Sequence, residues 1–110
     1  NSKIKDFKSS QSEKEETTLL LQEIDRIAKE TSLQVKSIKP RETSSDSFYS
    51  KTKIDITSET DMISLIKFLF LLGESNLIIT IEKMKISASG INKNTVASDI
   101  TISRLFIKQE

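Results

Sequence analysis

The chain has 110 residues, of which 30% are charged and 35% hydrophobic, and its formal net charge is +1. This length fits one domain with a core of its own. The chain contains no cysteine and no histidine, which excludes thiolate and imidazole ligands for zinc, thiol nucleophiles and an imidazole base. Basic and acidic residues alternate, so the sequence gives no electrostatic footprint for nucleic acid. We therefore expect no metal and no cofactor.

The first part of the chain predicts one amphipathic helix after a polar lead-in. Residues 1–12, NSKIKDFKSSQS, are polar and serine-rich, and we expect either a flexible lead-in or the end of a coiled-coil stalk. A single domain is expected over residues 13–110. Its first helix is predicted over residues 13–31, because Leu20, Ile24, Ile27 and Ala28 recur at helical spacing.

Two strands are expected next. LQVKSIKP, residues 33–40, alternates at first and ends at a proline, while RETSSDS, residues 41–47, reads as a loop. FYSKTKIDITS, residues 48–58, then alternates between an apolar side and a polar side. The apolar side holds Phe48, Thr52, Ile54 and Ile56. This pattern predicts a strand with one buried face.

The second helix is predicted over residues 59–72. Ser58 and Asp61 have the spacing of a capping box at its start, and Gly73 is placed to stop it. Its sequence, MISLIKFLFLLG, is too short to span a bilayer, which needs about 20 apolar residues. We expect most of this stretch to be core.

The faces of this helix leave one question open. On a helical wheel the stripe expected to cover the sheet consists of Met62, Leu65, Ile66, Leu69 and Leu72, extended on one edge by Ile63 and Phe70. A second stripe, Ser64, Phe68 and Leu71, is then expected to face away. These side chains either tuck under the loop at residues 41–47 or the first helix, or form a surface for dimerisation or membrane contact. Tyr49 and Phe106, predicted on an outer face, complete the candidate protein interface.

Two further strands complete the pattern. In NLIITIEKMKISAS, residues 76–89, the apolar phase shifts between Ile81 and Met84, which predicts a bulge or a strand covered on both faces. SGINKN, residues 89–94, reads as a turn, and the last strand is expected to bury Val96, Ile100 and Ile102. The order αββαββ predicts an α+β, two-layer sandwich with a four-stranded antiparallel sheet and two helices on one face.

Four segments carry a resemblance to a known family. They are LQVKSIKP, KIDITSETD, LIKFLFLLGES and LIITIEKMKIS, and the similarity covers residues 19–107. This series of apolar spacings resembles the periplasmic domain shared by the pilus assembly protein PilO and the type II secretion protein GspM. The resemblance implies a ferredoxin-like domain, circularly permuted in element order, on the periplasmic side of the bacterial inner membrane. It also implies an N-terminal membrane anchor upstream of Asn1, joined through a coiled-coil stalk.

Catalytic chemistry has little support in the sequence. The spacing of Asp55, Asp61 and Asp99 does not predict a carboxylate pair on one surface, and Asp61 already has a capping role. With two glycines, Gly73 and Gly90, the chain cannot form a glycine-rich phosphate loop. Lys51 and Lys53 are most simply a solvated face. We therefore expect no enzymatic activity.

The resemblance implies a non-enzymatic scaffold domain of a type IV pilus or type II secretion inner-membrane platform. It would act as a homodimer and as a heterodimer with a similar assembly protein, without nucleic acid or small-molecule substrate. The alternative is a soluble ferredoxin-like ligand-binding or RNA-binding module, because that fold also hosts modules that stack bases on sheet aromatics.

Overall fold

The structure is a computed structural model that describes residues 2–41, 44–45, 47–89 and 94–107, with side chains except those of residues 2–13, 44–45 and 106. In chain order the elements are α1 Ser2–Thr31, β1 Val35–Pro40, β2 Ser44–Ser45, β3 Tyr49–Asp61, α2 Met62–Glu74, β4 Thr80–Ser89 and β5 Thr95–Ile107. The turn predicted at Gly90 and Asn92 lies outside the described residues.

The strands form one antiparallel sheet in the order β1-β3-β5-β4. The two-residue strand β2, in the stretch predicted as a loop, pairs with β3 beside β1. Both helices lie on one face, so the predicted α+β sandwich with αββαββ order is confirmed. The central strands β3 and β5 pair over their whole lengths, from Tyr49 opposite Ile107 to Asp61 opposite Thr95. The edges of the main sheet are therefore β1 and β4.

The core lies between the helices and the two central strands. Ile54 is opposite Ile102 and Ile56 is opposite Ile100, and all four side chains are buried. Residues of β3 alternate between buried and partly exposed along the strand, as predicted. We call the buried side of the sheet the helix face and the other side the open face. Phe48 does not follow the predicted pattern, because it precedes β3 and is 76% exposed.

The apolar stripe predicted for α1 is confirmed, since Leu20, Ile24, Ile27 and Ala28 are all in the core. The helix begins at Ser2, well before the predicted start. It ends in a Schellman motif, in which Leu33 N–H donates to the Ala28 carbonyl at 2.9 Å and Ser32 has φ of 60°. This turn directs the chain into β1.

The predicted boundaries of α2 are wrong at both ends. Ser58 is not its N-cap but a buried residue of β3, with its hydroxyl 2.5 Å from that of Ser98. Asp61 is the N-cap and accepts a hydrogen bond from Ser64 N–H at 2.9 Å. Pairing with β5 holds residues 59–61 in the strand, so the long-range ladder overrides the local capping signal. The helix also continues through Gly73 to Glu74.

The sequence left open whether the stripe of Ser64, Phe68 and Leu71 is buried within the chain or forms a surface, and the structure buries Ser64 and Phe68 within the chain. Phe68 is 0% exposed and Ser64 is 8% exposed, while Leu71 is partly buried against the core. Of the stripe expected to face the sheet, Ile66 and Met62 are exposed instead. Because α2 is apolar almost all round, the wheel allows several stripes, and the rotation is set by the Asp61 cap and by contact with α1.

The two phenylalanines of α2 provide a direct test of this rotation. Phe68→Ala should lower the free energy of unfolding by about 3 to 5 kcal/mol, because it leaves a cavity in the core. Phe70 is 58% exposed, so Phe70→Ala should change it by less than about 1 kcal/mol in a monomer. Urea denaturation of dilute samples measures both. Equal losses, or a larger loss for Phe70→Ala, would contradict the observed rotation.

Candidate protein interface

The edge strand β4 carries an apolar row that the helices do not cover. Register with β5 places Ile81 opposite Ile102, Met84 opposite Ile100 and Ile86 opposite Ser98. Because their partners are buried on the helix face, these β4 side chains also belong to that face. They nevertheless remain 39%, 46% and 39% exposed. The predicted bulge is confirmed between Ile81 and Lys83 and brings Met84 into phase with Ile81.

The outer side of α2 is also apolar. Its exposed large hydrophobic residues are Met62, Ile63, Ile66 and Phe70. At 100° per residue, Ile63, Ile66 and Phe70 lie opposite the buried side that contains Phe68 and Leu65. Lys67 is the charged residue beside this row.

Both rows lie on the helix side of the sheet. Asp61, at the start of α2, is opposite the first residue of β5, and the Leu77 carbonyl after α2 accepts a hydrogen bond at 2.8 Å from Arg104 near the end of β5. The helix thus runs along β5, with β4 next to it at the sheet edge. We call the combined rows the β4–α2 surface, formed by Met62, Ile63, Ile66, Phe70, Ile81, Met84 and Ile86.

The open face is polar, and many of its charges are paired within the chain. Glu82, at the β4 bulge, reaches Lys51 at 2.5 Å and Lys53 at 3.4 Å. Asp55 accepts hydrogen bonds from Thr101 Oγ1 and Arg41 Nε, each at 2.7 Å. The lysines predicted as a solvated face are therefore ion-pair partners. These contacts tie β3 to β1, β4 and β5.

The same contacts shift the acidity of these carboxylates. The Thr101 hydroxyl and then the Arg41 guanidinium hold the pKa of Asp55 below its ordinary value of 3.8. Hydrogen bonds from Lys51 and Lys53 lower the pKa of Glu82 in the same way. Both groups are stabilised as anions, as expected of structural ion pairs rather than of a proton donor at neutral pH.

The expectation that no two candidate carboxylates share a surface is wrong for one pair. Asp55 and Asp99 lie on neighbouring strands of the open face, since Asp55 is opposite Thr101 and Asp99 is opposite Thr57. Asp99 accepts a hydrogen bond from Thr57 Oγ1 at 3.3 Å. Among the described residues, no cluster of acidic side chains is suited to hold a metal ion.

The remaining predicted interface residues lie apart. Leu71 lines a groove of about 580 Å³ between α2 and the C-terminal end of α1, together with Phe70 and Thr31. Tyr49 is 38% exposed and lies opposite Ile107 at the far end of the sheet. Phe106 is opposite Ser50 in β5, and its side chain lies outside the described part. The structure does not gather the predicted residues into one site.

The sequence prediction missed the β4–α2 surface. Its β4 row was visible as an apolar phase, but nothing local shows that β4 is an edge strand beyond the cover of the helices. Its α2 row was assigned to the core. The β4 row could have been found only by knowing that the last strand, β5, inserts between β3 and β4 and so leaves β4 at the edge.

Several solved structures share this fold. The type 4 fimbrial biogenesis protein PilO of Pseudomonas aeruginosa matches with a TM-score of 0.77 and 19% identity, over 86% of this chain and 71% of its own. The core region of PilO from the type IV pilus system of the same organism matches with a TM-score of 0.73 and 18% identity, over 83% and 94%. An Akkermansia muciniphila protein, solved without its transmembrane region, matches with a TM-score of 0.71 and 13% identity, over 86% of this chain and 56% of its own.

This is the fold of pilus biogenesis proteins. The family model of the type IVa pilus alignment subcomplex PilO C-terminal domain matches residues 16–106. The chain therefore belongs to the PilO family and is a PilO-like pilus assembly domain. No curated protein matches it by sequence. In the described ranges, neither helix has the length and apolarity that a membrane crossing requires.

The Asp55 contacts generate a prediction about acid stability. A carboxylate with a lowered pKa stabilises the fold above its unfolded-state pKa, and this stabilisation disappears as the pH falls through the folded-state pKa. Asp55→Asn should therefore be less stable than the wild type at about pH 7, and the difference should shrink below pH 3.8. Urea midpoints measured across this range test the effect.

A suitable control is Asp25→Asn. Asp25 pairs with Lys29 at 3.1 Å on the exposed side of α1, so its replacement removes one surface charge without touching the sheet. A stability difference for Asp55→Asn that stays constant from neutral to acid pH would contradict the prediction.

Proposed function

We propose that this chain is the periplasmic scaffold domain of an inner-membrane platform in a type IV pilus or type II secretion system. It acts without catalysis, by pairing with itself and with a similar domain of a neighbouring assembly protein. Family membership supports the assembly role. The observation that carries the pairing is the β4–α2 surface, an exposed apolar area on a domain whose opposite face is polar.

Exposed apolar patches of this kind mark contact sites in soluble domains. Fully burying a large apolar side chain contributes roughly 1.5 to 3 kcal/mol. The side chains of the β4–α2 surface are between 39% and 65% exposed, so each can contribute a part of that amount on pairing. Several together are enough for a weak dimer that is strengthened when both copies are tethered to one membrane.

The N-terminal helix supports attachment to a stalk. Residues 2–12, predicted as a flexible lead-in or the end of a coiled coil, are continuous with α1. A helix that begins at Ser2 is suited to extend from a membrane anchor upstream of Asn1, as the scaffold role requires. The proposal puts the domain on the periplasmic side of the inner membrane.

A heterodimer with a similar domain can use the same surface, because a related sandwich presents a related edge strand and helix. Tyr49 is exposed and lies opposite Ile107 at the other end of the sheet, and we propose it as a second contact position. Phe106, one residue before Ile107 in β5, remains a predicted residue of this second position. Two separate positions would let one domain contact two neighbours.

The alternative, a ligand-binding or RNA-binding module, rests on the open face. That face has a broad polar groove of about 750 Å³ with Lys39, Lys83 and Lys85 among its lining residues. Those lining residues include no aromatic side chain, whereas base recognition on a sheet relies on such stacking. Binding of labelled single-stranded RNA by the chain would favour this alternative.

Self-association can be tested by sedimentation velocity from about 5 to 500 µM. The wild type should form a dimer at the upper end of this range, because apolar burial at an interface of modest size gives weak affinity. Phe70→Glu should remain monomeric, since it places a charge in the apolar contact. Circular dichroism verifies that the variant is folded.

The matched control is Leu19→Glu, which replaces an apolar side chain of α1 that is 43% exposed and lies outside the β4–α2 surface. It should dimerise like the wild type. A wild type that is monomeric throughout would contradict self-pairing, and a dimer disrupted equally by both variants would show that the contact lies elsewhere.

A further inference from the structure

Within the described part of the chain, no strand pairs with the outer edge of β4, because the sheet order ends with this strand. Every residue from Thr80 to Ala88 is exposed, in contrast to the alternating burial of β3. An edge strand offers a row of backbone donors and acceptors for another strand. At this edge the backbone row and the uncovered apolar row coincide.

We propose that two copies of the chain pair β4 with β4, antiparallel, about a two-fold axis at Ile86, so that the two sheets form one continuous sheet. The proposal rests on the proposed function and specifies which strand makes the contact and in which register. An antiparallel pair related by such an axis keeps both helix faces on the same side, because directly opposite residues point to the same face.

Charge selects this register. Within the regular part of β4, residues 83–89, an axis at Met84 would set Lys83 opposite Lys85, and an axis at Lys85 would set that lysine opposite itself. Like charges directly opposite each other destabilise a strand pair. An axis at Ile86 instead sets Lys85 opposite Ser87 and Lys83 opposite Ser89 of the second copy. It is the longest register in this run without opposed lysines.

Shape supports the same register on the helix face. There Ile86 meets Ile86 of the second copy, while the long Met84 lies opposite the small Ala88. These side chains, the first two of which are 39% and 46% exposed in the single chain, would form a continuous apolar row across the joint. The bulge between Ile81 and Lys83 limits pairing to residues 83–89, because a bulge twists the edge away.

The partner strand that best fits the exposed edge of β4 is β4 of a second copy. In this register each side chain of residues 83–89 lies opposite a side chain that suits it in charge and size. Lys85 lies opposite Asp99 of β5, and Lys83 helps to lower the pKa of Asp55. Neither ammonium group forms a salt bridge within 4 Å among the described residues, so both can also reach the serine hydroxyls that the register brings opposite them. A strand from an unrelated protein has no reason to alternate small hydroxyls with apolar side chains at these positions.

Disulfide trapping tests the proposal in a chain that has no cysteine. Single cysteines are placed in turn at residues 83–89, and each variant is oxidised mildly at a concentration where the wild type is dimeric. Ile86→Cys should cross-link most, about fivefold or more above Ala88→Cys, because a disulfide needs Cα atoms less than about 7 Å apart. The double variant Met84→Cys with Ala88→Cys should also cross-link well.

The outcomes distinguish a failure of the β4 register from a failure of the proposed self-pairing. A maximum at Met84 or Lys85, or no cross-link in β4 from a chain that sedimentation shows to be dimeric, would overturn the β4 pairing and leave dimerisation intact. No dimer at any concentration would overturn both the register and self-pairing. Circular dichroism of each reduced variant excludes unfolding as a cause of low yield.

Discussion

The constraint on which the structure depends is the packing of two helices against the central strands of a four-stranded sheet. The sheet contributes four isoleucines to the core, Ile54, Ile56, Ile100 and Ile102. The helices contribute Phe68 and the apolar stripe of α1. This packing fixes the rotation of α2 and turns its second apolar row outward. It also leaves β4 at the edge with its apolar side chains uncovered, so the requirements of the core generate the candidate interface.

The two faces of the sheet have different roles. The open face joins β1, β3, β4 and β5 through charged and hydroxyl contacts, which contribute modestly to stability but keep that side soluble. The helix side supplies the apolar surface. A domain built in this way can fold alone and still retain an area whose burial depends on a neighbour, which suits an assembly component whose partners are held close by.

Much of the fold was predictable from local pattern. The period of α1 and the alternation in β3 identified the core, and the phase shift in β4 identified its bulge. The rotation of α2 was not predictable, because a helix with apolar residues on nearly every side allows several apolar stripes to face the core. Its start was misplaced because β3 extends to Asp61 by pairing with a strand that follows much later in the chain. The β4–α2 surface depends on both features and therefore required the tertiary structure.

Hydrogen exchange at several protein concentrations tests the central claim, that the uncovered β4–α2 surface is the contact between copies, most directly. In dilute samples the amides of β4 that point away from β5 should exchange much faster than those in the middle of β3. Raising the concentration should protect residues 83–89 and the outer row of α2, and leave β1 unchanged. Concentration-dependent protection confined to β1 or the open face, or none in a chain that dimerises, would contradict the claim.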